Sequence, residues 1–383
     1  HRISQRQAMN KTTWKRVKLG EVAEINPLES IKKNTLAKKV SMDNLEPFNK
    51  KIYSFSMESF KGGSKFKNGD TLLARITPCL ENGKTAFVDF LENNEIAFGS
   101  TEFIILREKE NISDKHFLYY LARSENFRET AIKSMTGSSG RERVQIEVIR
   151  DYEFSLPPLE TQHKIAEILS SLDDKIDLLH RQNKTLESLT LTLFRHTFID
   201  NPKRNEWEMG KLGDYVIPKK GKNITQKNAI SGVYPVIAGG LEPAYYHNQS
   251  NTESPVITIS ASGANAGFIN IHYCPVWSSD SSYIDSTITP YVYFSYLFLK
   301  HNQNILYDKQ EGSAQPHIYP SHIMELEMPH YPKDLIETLE SQTKSMFDKI
   351  SHNMREILNL QSMRDMLLAK ILNEDSQLRR KEQ

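Results

Sequence analysis

Cysteine is nearly absent: Cys79 and Cys274 are the two in 383 residues. Far apart in the chain, they read as free thiols of a reducing compartment, not as a disulfide framework. No apolar run approaches the roughly twenty residues of a membrane span, and the polar start is unlike a secretory signal, so a cytoplasmic protein with no membrane partner is expected. The twelve histidines include no His-x-x-x-His around a Glu, and no Cys-x-x-Cys occurs, so no metal site is expected. Gly83-Lys84-Thr85 resembles the end of a phosphate loop, but Pro78 stands where that motif needs glycine. Gly263 and Gly267 lack the spacing and βαβ setting of a dinucleotide site, and Ser260 and Ser262 lack the Gly-x-Ser-x-Gly setting of a nucleophile. No catalytic constellation remains, and no cofactor is expected on this chain.

Excess charge of one sign is also missing, because two opposite excesses cancel. The chain carries a net +1 in total. Residues 1–158 hold 26 Lys+Arg against 21 Asp+Glu, or +5, and residues 207–332 hold 7 against 10, or −3. The first region can attract phosphates as a whole, whereas the second would need local patches.

What is present is a long uninterrupted helix, and then a second one. From Leu156-Pro157-Pro158-Leu159 to Asn201-Pro202 there is no internal Pro or Gly. Within it Ile165, Leu169, Leu172, Ile176, Leu179, Leu186 and Leu193 alternate at spacings of four and three, the seam of a helix packed on another helix. At 1.5 Å per residue such a helix is roughly 60 Å long, a spacer more than a globular helix. Subtracting 174 from Ile323, Pro332, Leu339, Met346 and Leu360 lands on Ile149, Pro158, Ile165, Leu172 and Leu186. Met346, Ile350, Ile357 and Leu360 thus form a second seam. Asn183 stands at a core-like position of the first, where a polar residue either is tolerated or pins register.

The repeat continues upstream. Trp14-Lys-Arg-Val-Lys18-Leu19-Gly20-Glu21 returns as Trp207-Glu-Met-Gly-Lys211-Leu212-Gly213-Asp214. The chain is therefore a tandem duplication of globular module and long helix. Its expected fold class is α+β, two mixed modules and two long antiparallel helices related by a pseudo-two-fold repeat. The boundaries read as follows: 1–10 an appended disordered stretch, 11–156 the first module, 157–203 its helix, 204–331 the second module, 332–376 its helix, 377–383 a disordered tail. In the first module Val17 to Ile25 reads as a strand or a strand entering a turn, and Thr71 to Ile76, Ala86 to Phe90 and Phe103 to Leu106 read as strands. Lys32 to Lys51 reads as a solvated connection, Lys61 to Asp70 as a basic loop, and His116 to Lys133 as one helix. Both modules carry glycine-rich polar loops shortly before their helix, at Gly137-Ser138 and Gly312-Ser313.

Two modules that each open on Trp-x-x-x-Lys-Leu-Gly-acid, each followed by a long helix, resemble the specificity (S) subunit of type I restriction-modification enzymes. Thr136-Gly137-Ser138 ahead of Leu156-Pro157-Pro158-Leu159-Glu160-Thr161-Gln162-His163-Lys164-Ile165-Ala166 is similar to that family's junction between target-recognition domain and helix, as is Ser171-Leu172-Asp173-Asp174-Lys175-Ile176. The second helix, with Tyr331-Pro332-Lys333-Asp334, lacks the Pro-Pro pair and the Gln-x-x-Ile-Ala run. The resemblance implies that each module reads one half of a bipartite site in double-stranded DNA, that the helices set the spacer, and that the helix seam regions dock methyltransferase (M) subunits, two per chain. Restriction (R) subunits would complete the assembly; S-adenosylmethionine would sit in the M subunit and ATP and Mg in the R subunit.

Arg or Lys reads guanine and Asn or Gln reads adenine in the major groove. The expected DNA-binding residues are accordingly Lys61, Lys65, Arg75, Asn82, Lys84, Arg141 and Arg143 in the first module. In the second they are Lys220, Lys222, Ser262, Asn265, Ser279 and Gln315. A scaffold or adaptor without a DNA role is the alternative that near-neutral charge admits.

Overall fold

The computed structural model describes residues 14–312 and 315–372, so both expected disordered ends, and Ser313 with Ala314, lie outside it. The chain forms two compact units, His1–Leu178 with Glu356–Gln383, and Leu179–Arg355. Each unit holds one module and a segment of each long helix. The first long helix runs Leu159–Phe194 and passes into a π-helical turn, Arg195–Ile199; the second runs Lys333–Leu372. Among the described residues no helix is long and apolar enough to cross a membrane.

Repetition in the sequence becomes repetition of topology. The first module has a sheet ordered Ala23–Ile25, Phe103–Glu108, Thr71–Ala74, Thr85–Phe87, and the second has Lys219–Lys220, Ser281–Asp285, Val256–Ser260, Ile269–His272; all neighbours are antiparallel. Each module closes with a two-stranded ribbon that leads into its helix, Lys15–Lys18 with Glu153–Leu156 and Met209–Lys211 with Glu327–Pro329.

The Lys-Leu-Gly-acid motif sits at that ribbon, and each position has a physical reason. Leu19 and Leu212 are fully buried. A Cβ on Gly20 would meet the Arg150 side chain at 2.5 Å, and one on Gly213 would meet Met324 Cβ at 2.9 Å, so glycine lets the short helices Ile146–Arg150 and Pro320–Met324 approach. The acid folds back: the Lys18 N–H donates to Glu21 Oε2 at 3.1 Å and the Lys211 N–H to Asp214 Oδ2 at 2.8 Å. Of the two readings of Val17 to Ile25, the strand entering a turn is the nearer: strand Lys15–Lys18 enters the helical turn Leu19–Val22, and a second strand, Ala23–Ile25, follows.

The Gln-x-x-Ile-Ala run has a similar explanation. Ile165 and Ala166 enter the first module's core, and Gln162 is buried. Its Oε1 accepts from the Asp114 N–H at 2.9 Å, and its Nε2 donates to the carbonyls of Pro157 at 2.9 Å and Ile112 at 3.1 Å. Three backbone groups thereby fasten the helix start to the module. The second helix does the equivalent with Glu340, whose carboxylate accepts from the N–H groups of Tyr293 and Phe294 at 3.1 and 2.7 Å. Burial nevertheless pushes the Glu340 pKa up.

Within each unit the two helix segments pack along the expected seam. Ile165, Leu169, Ile176, Leu179, Ile350 and Ile357 are buried, while Leu172, Leu186, Met346 and Leu360 are half-buried. Leu368 joins the first module's core although it lies near the end of the chain. In the first unit Asp173 meets Arg364 at 2.6 Å and Lys175 meets Glu356 at 3.5 Å, so numbers rise on one helix as they fall on the other, the antiparallel sense. In the second unit the fully buried Asn353 donates through Nδ2 to Asn183 Oδ1 and Gln182 Oε1, both at 2.8 Å. Asn183 is thus a paired polar layer in an apolar seam, the arrangement that specifies register.

Three expectations need correction. Lys32 to Lys51 contains a strand, Leu36–Val40, whose Lys38 and Lys39 pair with Glu95 and Glu58. Lys61 to Asp70 contains another, Ser64–Phe66, which places Lys65 on a strand with its ammonium 5.6 Å from the Phe60 ring centroid. His116 to Lys133 is two helices, Lys115–Arg123 and Glu125–Lys133, parted at Ser124, whose hydroxyl donates to the Leu121 carbonyl at 2.7 Å.

His272 gives the second unit a pH dependence. Burial pushes its pKa down from 6.5 to about 4, and Nε2 lies 2.8 Å from Thr258 Oγ1. Below pH 6.5 the unfolded chain gains a proton that the folded unit refuses, so stability present at neutral pH is lost as pH falls through 6.5 towards 4. The full loss is about 3 kcal/mol. Urea midpoints measured across that range should show it, and H272Q should flatten that part of the profile; an unchanged slope in the variant would assign the loss elsewhere.

Candidate nucleic-acid interface

In the first unit the loop after strand Thr71–Ala74 and the loop before helix Ile146–Arg150 are stitched together. The Val144 N–H donates to the Arg75 carbonyl at 2.8 Å and the Thr77 N–H to Glu142 at 3.0 Å, while Arg143 bridges both Ile76 and Thr136. This brings together Arg75, Arg141 and Arg143, three of the residues expected to bind DNA. They are not equivalent. Arg143 is fastened to Glu102 by Nε–H and Nη2–H bonds of 2.8–3.0 Å, which raise its pKa further. Arg75 turns Nη2 towards the Val144 carbonyl at 3.4 Å. Arg141 is exposed at the loop tip.

Asn82 is exposed in the turn that follows Pro78. Lys84 is an internal strut, donating to the Met42 carbonyl at 2.9 Å. The turn is held from behind: Arg128 Nη2 donates to the carbonyls of Leu80 and Glu81 at 3.2 and 3.0 Å, and its guanidinium lies 4.8 Å from the centroid of the Phe48 ring. Gly83 must be glycine, since φ is +77° and a Cβ would meet that ring at 2.6 Å. Lys61 is exposed just ahead of strand Ser64–Phe66, which carries Lys65 in a second four-stranded sheet of the module with Leu36–Val40, Ser56–Ser59 and Ala97–Gly99.

The second unit repeats the stitching with different side chains. The Ile318 N–H donates to Ala261 at 2.9 Å and the Gly263 N–H to Pro316 at 3.0 Å, and His317 bridges Ser262 and Glu311 as Arg143 does its two partners. Ser262 donates to the Asp280 carboxylate, and Asn265 Nδ2 donates to the Gly239 carbonyl at 3.3 Å. Lys220 and Lys222 flank this cluster, exposed, on the chain that borders Ser278 to Ser282. Gln315 is exposed on the bridging loop. Ser279 does not reach the surface: it is 4% exposed, donating to Asn223 Oδ1 and accepting from the Ile224 N–H. It braces the loop from inside, because a small hydroxyl in a polar turn satisfies backbone groups as readily as it faces solvent.

Sequence reasoning missed Glu102, Asp280, His317 and Tyr319 at these clusters. Glu102 and Asp280 each directly precede a central strand, and His317 lies 174 residues after Arg143, the offset already established for the helices. The same shift carried upstream would have found it. His317 stacks on Tyr319, ring centroids 6.1 Å apart, and Tyr319 is 44% exposed. Among the described residues no group of three or more His, Cys, Asp or Glu could hold a metal ion. The paired loops thus present Arg141 and Asn82 in the first module, and Lys220, Lys222, Gln315 and the exposed Tyr319 ring in the second, a surface suited to polar contacts.

Known proteins place this architecture. The type I restriction modification DNA specificity domain matches residues 11–188 and again 204–334. The type I restriction enzyme MjaIX specificity subunit of Methanocaldococcus jannaschii is 25% identical over 293 residues, 67% of this chain and 68% of that protein. The EcoAI specificity subunit of Escherichia coli is 30% identical over 179 residues, 45% of this chain, and the match spans 30% of its length. The fold is shared with the crystal structure of the S subunit of a type I restriction-modification system from M. genitalium, with a TM-score of 0.57 at 18% identity, covering 94% of this chain and 96% of that one. With the specificity domain matched twice over most of its length, the chain belongs to the family of type I restriction-modification DNA specificity subunits.

Proposed function

We propose that each module reads one half of a bipartite DNA site through its stitched loops, and that the two long helices set the unread spacer and carry the docking surface for methyltransferase subunits, two per chain. The observation that carries the reading is the repetition of one loop arrangement, at one place in the fold, with different side chains: Arg75, Arg141 and Arg143 in the first module, Ser262, Asn265 and Gln315 in the second. A duplicated scaffold with divergent loop tips suits a site of two unlike halves. Methylation and cleavage are then the work of M and R partners in the cytoplasm, with S-adenosylmethionine held by M and ATP and Mg by R.

Selection from random duplex DNA, with this chain assembled on its methyltransferase subunit, tests the reading. Two short motifs at one separation are expected. No enrichment, with the partner bound, would favour an adaptor role instead. Arg141→Ala and Gln315→Ala are each expected to lower methylation of the selected duplex about 5- to 10-fold with unchanged melting, since each removes one exposed contact. Unchanged methylation would remove that residue from the interface.

A further inference from the structure

We infer that Asp280 is a specificity-determining residue of the second module, its carboxylate accepting from the exocyclic amino group of a cytosine or adenine; the inference rests on the reading of the loops as a DNA interface. The two modules place a carboxylate at one equivalent position, immediately before a central strand and beside the stitched loops: Glu102 before Phe103–Glu108, and Asp280 before Ser281–Asp285. In the first module that charge is spent internally. Arg143, from the bridging loop, clamps Glu102 through Nε and Nη2.

In the second module the bridging position belongs to His317, whose ring stacks on Tyr319. Among the described residues no cation lies within ion-pair distance of Asp280, although Lys220 and Lys222 are exposed on the chain that borders Ser278 to Ser282. What holds Asp280 is neutral. The Ser262 hydroxyl donates to Oδ2, and the Ala261 N–H donates to the Asp280 carbonyl at 3.1 Å. Oδ2 is oriented by that hydroxyl, and among the described residues Oδ1 has no hydrogen-bond partner.

Glycine keeps side chains away from the Ser262 side of the carboxylate. A Cβ on Gly239 would lie 3.7 Å from Asp280 Oδ2 and 2.7 Å from the Ser262 carbonyl, so only glycine fits there, and Gly263 meets nothing within 4 Å. An uncompensated carboxylate on a surface that meets a polyanion is repelled by every phosphate and gains only from a donor. The donors a groove presents are base amino groups, cytosine N4 and adenine N6 in the major groove, and a carboxylate accepts from them. The phosphates are met by the flanking Lys220 and Lys222, so that Asp280 faces bases between them.

The test is the same random-duplex selection on the full chain with its methyltransferase subunit, run for wild type, Asp280→Asn and Ser262→Ala. Wild type should yield two half-sites. D280N should change the preference at one position of one half-site, losing about tenfold discrimination for a cytosine there or sharpening the preference for an adenine, since the amide accepts from N6 and also donates to N7, with the other half-site and the separation unchanged. S262A, which keeps the carboxylate but frees it, should relax the same position by a smaller factor. Uniform weakening at every position, or an unaltered half-site in D280N, would overturn the inference and make Asp280 a structural residue. Absence of any half-site in wild type would instead overturn the DNA-reading proposal itself, so the two failures are distinct.

Discussion

Arg364→Met is expected to destabilise the first unit by about 3–5 kcal/mol, the loss typical when a buried ion pair is left with one partner. Asp173 is 6% exposed and Arg364 3%, with Nη1 2.6 Å from Oδ1. The other carboxylate oxygen of Asp173 accepts from the Tyr120 hydroxyl at 2.7 Å, and Arg123 stands 4.0 Å away. Arg364 also reaches Asp365 at 2.9 Å, and the two carboxylates outweigh its burial, so that its pKa is raised. Methionine fills the space but leaves a carboxylate in a helix seam. Replacing both partners, Asp173→Leu with Arg364→Leu, should recover most of the loss, because an apolar layer continues the seam and Tyr120 keeps the Ser170 hydroxyl within 3.4 Å. Denaturant unfolding followed by probes in each unit would show it. A single-variant loss under about 1 kcal/mol, within the range of an exposed pair, would mean that water or Arg123 already satisfies Asp173.

That pair marks the boundary of what the sequence shows. The seam was legible because apolar residues at spacings of three and four need no knowledge of the partner. Asn183 was legible as an exception to it. Asn353 and Arg364 were not, since a heptad pattern says which face is buried but not which layer meets which. The strand Leu36–Val40 was hidden by its own lysines: Lys38 and Lys39 look solvated until Glu95 and Glu58 are brought beside them. The break at Ser124 was hidden because a serine within a helical pattern is tolerated as often as it ends one.

The loops divide in the same way. Glycine, hydroxyl and arginine composition located both clusters, because turn chemistry is local. Which arginine is free is not local: Arg143 is spent on Glu102, forty-one positions back, and Lys84 on a backbone carbonyl forty-two back. Searching for cations, amides and hydroxyls passed over Glu102 and Asp280, since a carboxylate at a DNA surface becomes meaningful only when its neighbours are known to be neutral.

Raising salt from 50 to 200 mM should weaken binding of the assembled complex to its selected duplex by about 10²–10³-fold, the loss expected for roughly four to six phosphate contacts at a slope near −0.9 for each. The charge asymmetry predicts where this chain's share of the slope resides. The first module region carries +5 and exposes Lys61 and Arg141; the second carries −3 and exposes Lys220 and Lys222 at one edge of its cluster. Alanine at any of these four should reduce the slope by about one if the side chain meets a phosphate. Since the partner subunit contributes equally to every variant, differences between variants isolate this chain. Asp280→Asn should leave the slope unchanged while shifting base preference, because it alters acceptance from a base and adds no cation. If all four alanine variants keep the full slope, these cations do not meet phosphates, and the +5 of the first region serves solubility instead. If D280N changes the slope as steeply as a lysine does, its carboxylate is felt by the backbone as a plain charge, and base reading in the second module falls to Ser262, Asn265 and Gln315.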